Sequence, residues 1–236
     1  MRVACLTQPF CPTLSRLAGS VDFSVLFFSL IVLVFSLSVH EAAHAWTASR
    51  LGDQTARDLG RISLNPLVHI DPIGTIVLPT LAFVTRAPLI GWAKPVPVRT
   101  RGLKNVRRDL ILIATAGPAS NLVLAVIAAI VLRFLPESPN AESVNALGGL
   151  DFVSPVGYLM LQAAKLNLLL AIFNILPIPP LDGGNVLANL LPTRLAYHFE
   201  QLRPYGFIVL YALVLTGLYS AIVRPPYLFL QALLQL

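Results

Sequence analysis

The stretch FSVLFFSLIVLVFSLSVHEAAHAWT, residues 23–47, decides how the chain folds. Its first part is an almost unbroken apolar run, and its second part contains His40, Glu41 and His44. An α-helix needs roughly 20 apolar residues to cross a bilayer, so the run predicts a membrane span. Ionisable side chains inside a span are costly and by default functional. These three polar residues are therefore the first candidates for a site.

The composition indicates a membrane protein rather than a soluble one. The chain has 236 residues, of which 56% are hydrophobic and 12% charged, and its mean hydropathy is +0.75. A soluble domain usually carries about twice that charged fraction. Basic cytoplasmic loops explain the net charge of +6 better than nucleic acid does, and no nucleic-acid motif is present. The two cysteines, Cys5 and Cys11, are compatible equally with a disulfide and with unpaired thiols.

The apolar pattern predicts an all-α polytopic membrane protein. We expect four spans, at about 23–46, 110–135, 155–176 and 205–223, and the helix of the first span continues to Leu51, where Gly52 ends it. An N-terminal extension, residues 1–21, precedes them. An apolar tail, residues 224–236, follows and lies along the membrane interface or packs on the helix bundle.

The connection between the first two spans, residues 52–108, is long and unusual. Its apolar part, 73–83, is short for a span and predicts a re-entrant segment, which is tolerated where protein or a watery cavity covers the backbone. KPVPV, residues 94–98, alternates extended residues with prolines and predicts an edge strand or β-hairpin.

The distribution of lysine and arginine predicts the topology. Ten of the seventeen basic residues fall within 50–108, whereas 136–154 has none and contains three acidic residues. By the positive-inside rule the first segment is cytoplasmic and the second is outside. His40 lies ten residues, roughly 15 Å, before Arg50. The polar residues of the first span thus lie within the membrane, nearer its cytoplasmic face.

The sequence His40-Glu41-Ala42-Ala43-His44 fits the pattern H-E-x-x-H. Residues four apart share a helix face, so both imidazoles can bind one metal ion, and zinc suits such ligands. Glu41 lies beside the pair, where it can take a proton from an activated water. A chance pentapeptide, or histidines that hydrogen-bond across helices, is the alternative. The position inside a span argues against it.

Two histidines do not complete a catalytic zinc site, and Asp182 is the best candidate for a third ligand. It lies in NILPIPPLDGG, residues 174–184, whose prolines break the third helix at its cytoplasmic end. From the residues alone, a role of Asp182 as N-cap of the next helix is favoured as much as a role as zinc ligand. His69 lies in a predicted loop, where a solvated histidine is favoured over one that folds back to cap the zinc. A surface position is favoured for His198.

HEAAH in one span, paired with NILPIPPLDGG after a later one, resembles the site-2 protease family of intramembrane zinc metalloproteases. The resemblance covers about residues 23–192. It implies that His40, His44 and Asp182 bind one zinc ion and that Glu41 is the catalytic base. It also implies an intramembrane metalloprotease domain over 22–223. The sequence departs from larger members of the family, because we find no inserted PDZ-like domain and no C-terminal regulatory domain in it, and we expect a compact member.

Three further residues are candidates for contacts with the substrate or the transition state. Asn174 matches a family asparagine near the site. Asn121, in GPASN, matches the family's middle core helix, although a helix–helix hydrogen bond explains it equally well. His69 is the third. GWAKPVPV, residues 91–98, resembles a membrane-associated hairpin that presents the substrate as an extended strand.

The sequence therefore predicts a zinc-dependent intramembrane endopeptidase. Its partners are the lipid bilayer and a membrane-protein substrate, cut in or next to a transmembrane segment. A membrane metal-binding or transport protein and a non-proteolytic substrate-binding relative are the alternatives, and Glu41 argues against a transporter, which needs no base beside its metal. We expect a prokaryotic plasma membrane, with the active site toward the cytoplasm. The sequence does not indicate an oligomeric state.

Overall fold

The computed structural model describes residues 23–85, 93–135 and 155–236. The predicted N-terminal extension, the loop 136–154 and the first residues of GWAKPVPV lie outside the described residues. The regular structure of the described part is entirely helical. Its α-helices are, in chain order, α1 Phe23–Leu51, α2 Thr55–Asp58, α3 Leu78–Thr85, α4 Val106–Phe134, α5 Pro155–Asn174, α6 Asp182–Leu190, α7 Thr193–Glu200, α8 Gly206–Leu215 and α9 Leu218–Leu234.

Three of these helices, α1, α4 and α5, are long and apolar enough to cross a membrane. They confirm the first three predicted spans, and α4 begins four residues earlier than expected. Helix α1 ends where predicted because Gly52 has a φ of 115°, a left-handed conformation that favours glycine. The described part is thus that of an all-α membrane protein, built on three long apolar helices.

The predicted fourth span, 205–223, is not one continuous helix. Helix α8 ends at Leu215, and α9 begins at Leu218 after Gly217, whose φ is 75°. The helical stretch 193–215 and α9 are bent by 80° from each other. An apolar run does not show where the backbone turns, so hydropathy alone merged two helices into one.

The apolar tail belongs to α9, which continues through Pro225 and Pro226 to Leu234. Its residues pack on the bundle, which was one of the two positions expected for the tail. Val223 and Tyr227 are buried against Leu168 of α5 and Ala125 of α4.

Helix α4 lies at the centre of the described bundle and packs against α1, α5 and α6. A second apolar cluster joins Val32 and Leu33 of α1 to Leu166 of α5. Small side chains let helices approach closely in membranes. The buried face of α4 carries several, at Ala114, Gly117, Ala125, Ala128 and Ala129.

The connection between α1 and α4 is only partly helical. A π-helical turn, Pro72–Val77, runs directly into α3, and the Asp71 side chain accepts hydrogen bonds from the first backbone N–H groups of that turn. Residues 93–99 form neither helix nor strand within the described part; Arg99 is extended, and the prolines at 95 and 97 favour extended backbone before them. The re-entrant segment and the β-hairpin therefore stay predictions.

Candidate metal centre

Helix α1 places His40 and His44 one turn apart on the same face, as the spacing predicted. Both side chains are buried, and their Nε2 atoms lie 3.0 Å apart. The Nδ1 atom of His44 donates a hydrogen bond to the backbone carbonyl of Ile113 on α4, at 2.7 Å. This bond fixes the ring orientation and leaves the Nε2 lone pair free to bind a metal ion.

Asp182 completes the group from the first residue of α6. Its Oδ2 atom lies 3.1 Å from Nε2 of His40 and 3.4 Å from Nε2 of His44. The alternative that Asp182 is an N-cap is wrong, because Leu181 occupies that position and no side chain caps the helix. The two glycines after Asp182 permit this placement, since a Cβ at Gly184 would lie 2.7 Å from the carbonyl carbon of Ile178.

The three ligand atoms fit a tetrahedral zinc ion. Zinc binds imidazole nitrogen and carboxylate oxygen at about 2.0–2.1 Å, so the ligand atoms should lie about 3.3 Å apart. The separations of 3.0, 3.1 and 3.4 Å match this value. Two nitrogen lone pairs and a carboxylate oxygen that converge in a buried place also require a cation. The group can therefore hold a metal ion, and its donor set suits zinc.

Gly117 of α4 forms one wall of the metal centre. A Cβ at this position would overlap Nε2 of His44 and lie 2.6 Å from Cε1 of His40. Only glycine lets the α4 backbone approach the two imidazoles this closely. The sequence singled out GPASN as a motif, but the contact between Gly117 and the histidines emerges only from the packing of α4 on α1.

Glu41 follows His40 on α1 and is not one of the metal-binding residues. Its side chain is partly buried, and Oε2 accepts a hydrogen bond from the backbone N–H of Val96, at 3.1 Å. The H-E-x-x-H pattern predicts that this carboxylate lies beside the metal-binding pair.

The predicted asparagines lie outside the metal-binding group. Asn174 is the last residue of α5, and its Nδ2 donates to the carbonyl of Leu170. Asn121 is fully buried one turn after Gly117. The helix–helix hydrogen bond considered for Asn121 is absent within the described part, where neither polar atom of its side chain has a partner. The substrate-contacting roles of both asparagines stay predictions.

The expectation of a solvated loop position is wrong for His69. The residue is 1% exposed, and its Nε2 hydrogen-bonds the carbonyl of Ser63, at 2.8 Å. Its own carbonyl accepts the N–H of Lys94, at 2.9 Å. His69 therefore holds two parts of the connection together, and it is not among the metal-binding residues. His198 is exposed, as expected.

Sequence reasoning missed Asp53, which ties residues 93–99 to the end of α1. Its carboxylate accepts the N–H and the hydroxyl of Thr55 and the N–H of Arg99, the last at 2.6 Å. Burial alone would raise the pKa of Asp53, but these hydrogen bonds outweigh it and lower that pKa below its usual value. The Asp-x-Thr pattern after the glycine that ends α1 indicates a local turn. No pattern in the sequence indicates the hydrogen bond between Asp53 and Arg99.

A buried polar contact between two spans was also missed. Asn167 of α5 donates to the hydroxyl of Ser36 on α1, at 2.8 Å, and both side chains are buried. Hydrogen bonds of this kind fix helix pairs in membranes. Ser36 lies one turn before His40, so the contact holds α5 against α1 close to the metal centre. The signal for this contact in the sequence was a polar residue in each of two apolar spans.

Comparison with known proteins decides the family. The model of peptidase family M50 matches residues 28–216, which is most of the chain. The chain belongs to peptidase family M50, the site-2 proteases. It is a zinc metalloprotease of that family, and the group formed by His40, His44 and Asp182 is its candidate zinc site.

Two similar proteins illustrate the relationship. YwhC of Bacillus subtilis is 38% identical over 203 residues, 86% of each chain. Rip2 of Mycolicibacterium smegmatis is 32% identical over 184 residues, 78% of this chain and 64% of Rip2, so the match spans just under two thirds of that relative. The names of both relatives contain the words zinc metalloprotease. No solved structure matches the chain.

Proposed function

We propose that this zinc metalloprotease is an intramembrane endopeptidase that hydrolyses a peptide bond in or next to a transmembrane segment of another membrane protein. The observation that carries the proposal is the depth of the metal centre. His40 and His44 lie inside the candidate span Leu26–Leu51, and Gly117 lies inside Val106–Phe134. A substrate that reaches a site at this depth shares the membrane with the enzyme.

The residues of the centre divide the chemistry between them. His40, His44 and Asp182 would hold zinc, which when bound polarises the scissile carbonyl and activates water. Glu41 takes the proton from the attacking water and delivers it to the leaving amine. His44 is kept in the metal-binding tautomer by the carbonyl of Ile113, which also ties α1 to α4 at the site.

The charge distribution supports a site that opens toward the cytoplasm of a prokaryotic cell. Helices α1 and α5 end, and α4 begins, on the side where α6 supplies Asp182. The same side carries the basic residues of the connection, such as Arg99, Arg107 and Arg108. Basic residues mark cytoplasmic loops. Water would reach the centre from this side, past the irregular segments 93–105 and 175–181.

The extended segment 93–99 is the candidate surface for the substrate backbone. Proteases bind the chain they cut in an extended form, and adding a strand to an exposed edge is a common way to bind a peptide. Lys94, Pro95 and Pro97 are exposed, and the N–H of Val96 lies against Glu41. A peptide that aligns with this segment would pass close to the metal centre.

Membrane lipid is the second partner. Large apolar side chains on the long helices are exposed, among them Phe35 on α1, Val123 on α4 and Phe229 on α9. Lipid contact is the ordinary role of such side chains in a membrane-spanning bundle.

The proposal is tested by comparing membrane fragments from cells that express the wild-type chain or Glu41→Gln. Peptide termini are mapped by mass spectrometry, and Glu200→Gln, at an exposed glutamate paired with Arg203, serves as the matched control. We expect new termini within or next to apolar segments with the wild type and the control, and none with Glu41→Gln. Unchanged fragments with Glu41→Gln, or fragments from soluble proteins alone, would contradict the proposal.

A further inference from the structure

The carboxylate of Glu41 has one hydrogen-bond partner in the described part of the chain, and that partner is distant in sequence. The backbone N–H of Val96 donates to Oε2 at 3.1 Å, although 55 residues separate the two. Glu41 belongs to α1, and Val96 belongs to the extended segment 93–99. The contact therefore joins the proposed base to a different part of the fold.

The segment is held on both sides of this donor by hydrogen bonds from the backbone N–H groups of two other residues. Two residues before Val96, the N–H of Lys94 donates to the carbonyl of His69 at 2.9 Å. Three residues after it, the N–H of Arg99 donates to Oδ2 of Asp53 at 2.6 Å. Both acceptors are buried, so the segment has two fixed points with Val96 between them.

The residues next to Val96 stiffen the segment further. Pro95 and Pro97 flank it directly, and a proline ring fixes φ at about −65°. A residue that precedes a proline is also restricted to extended backbone, which applies to both Lys94 and Val96. The N–H of Val96 is therefore presented to Glu41 in a fixed direction before any substrate binds.

A glutamate base benefits from such a donor because its side chain is flexible. A base acts efficiently when it lies within hydrogen-bond reach of the proton it takes and is itself oriented by another group. A carboxylate has two oxygens with separate lone pairs, so one can accept a fixed hydrogen bond while the other handles the proton. In Glu41, Oε2 is engaged by Val96, which leaves Oε1 for the water.

We propose that the backbone N–H of Val96 is a positioning group for Glu41. It holds Oε2 and thereby directs Oε1 toward the water at the metal centre. This inference rests on the proposed function, because it assumes that Glu41 is the base. It also gives the extended segment a role that does not depend on substrate contact: the base is correctly oriented only while residues 93–99 lie in place.

The test removes this single N–H without changing the side chain. Replacing Val96 by its α-hydroxy analogue turns the amide into an ester and eliminates the donor. The same replacement at the exposed Leu64 is the matched control, since the N–H of Leu64 donates no hydrogen bond within the described residues and lies outside residues 93–99. Val96→Pro is a second way to remove the donor, and Val96→Ala, which keeps it, controls for the side chain.

Each zinc-loaded protein is assayed on a transmembrane peptide in lipid vesicles, and its zinc content is measured separately. We expect kcat to fall about 10- to 100-fold in the Val96 ester and in Val96→Pro, the loss typical of one hydrogen bond to a charged group. We expect KM to stay within about twofold and the zinc content to stay at wild-type level, because the bond acts on the base alone. The Leu64 ester should behave like the wild type, and Val96→Ala, which keeps the N–H, should retain more activity than Val96→Pro.

Three results would overturn the inference: wild-type kcat in the Val96 ester, a rise in KM with unchanged kcat, or loss of zinc from that variant. A rise in KM would mean that the N–H binds substrate, and loss of zinc would mean a structural role. Glu41→Gln is measured in parallel. If it still cleaves the peptide, the proposed function fails together with the inference. If it is inactive while the Val96 ester is normal, the inference alone fails.

Discussion

Gly117 shows how a single missing side chain permits the metal centre. Its Cα lies so close to the imidazoles that an added methyl group would overlap Nε2 of His44. Because that atom is a proposed zinc ligand, the clash cannot be relieved without moving the ligand. We therefore predict that Gly117→Ala lowers zinc affinity at least tenfold, as measured by competition with a chelator for the purified protein.

The control for this prediction is Val123→Ala on the exposed face of the same helix, which should leave zinc affinity unchanged. Both variants should retain the circular dichroism of the wild type, since alanine favours helices. Wild-type zinc affinity in Gly117→Ala would show that α4 does not form a wall of the centre.

The residues of the centre were predictable from sequence to the extent that local spacing encodes them. His40 and His44 lie four residues apart on one helix, so the 3.6-residue repeat was sufficient to bring them together. Asp182 was found because prolines and glycines around it indicated irregular backbone near the same membrane face. The burial of His69 and the contact of Gly117 depend on how distant elements pack, and a single sequence does not specify that packing.

At the scale of elements, the extended segment 93–99 depends on Asp53 for its attachment to α1. Asp53→Asn removes the negative charge that accepts the N–H of Arg99. Hydrogen bonds to charged groups contribute about 1.5–3 kcal/mol, which predicts a thermal midpoint lower by about 3–10 °C for a chain of this size. Asp58→Asn, at an exposed position on α2, should leave the midpoint unchanged.

The difference in thermal midpoint between the wild type and Asp53→Asn should depend on pH, because the pKa of Asp53 is lowered in the folded protein. The usual value is 3.8, and the folded value is lower, so the stabilisation is fully present above about pH 4 and is lost as the pH falls through the folded value. Thermal midpoints of the wild type and Asp53→Asn should therefore differ by a constant amount from pH 8 to pH 5 and converge only below pH 4. Convergence near neutral pH would show that Asp53 does not carry this bond.

The break between α8 and α9 is a feature that sequence reasoning missed. The run from Tyr205 to Val223 is apolar throughout except for Gly206, Thr216, Gly217 and Ser220, and its length matches a span. Gly217 has a left-handed conformation, and the chain turns there, so a single straight helix does not continue through the run. Hydropathy measures whether a residue tolerates lipid and carries no information on backbone direction. The three continuous spans had no such glycine and were predicted correctly.

At the scale of the whole molecule, the account requires one orientation in the membrane. Thr193, exposed at the start of α7, should face the cytoplasm, and Ser138, in the acidic segment 136–154, should face outside. We predict that Thr193→Cys resists a membrane-impermeant thiol reagent in intact cells and reacts after lysis, whereas Ser138→Cys reacts in both. Both are built on a chain with Cys5 and Cys11 replaced by serine, and the reverse pattern would contradict the orientation.

The central claim is that a bundle of membrane-spanning helices holds one zinc ion between two histidines and an aspartate. X-ray absorption at the zinc edge tests it most directly, on the purified protein in lipid nanodiscs. We predict one zinc ion per chain, with nitrogen and oxygen ligands at about 2.0–2.1 Å, two of them imidazoles, and a ligand shell that loses an oxygen in Asp182→Ala. Absence of zinc, sulfur ligands at about 2.3 Å, or a spectrum unchanged by Asp182→Ala would contradict the claim.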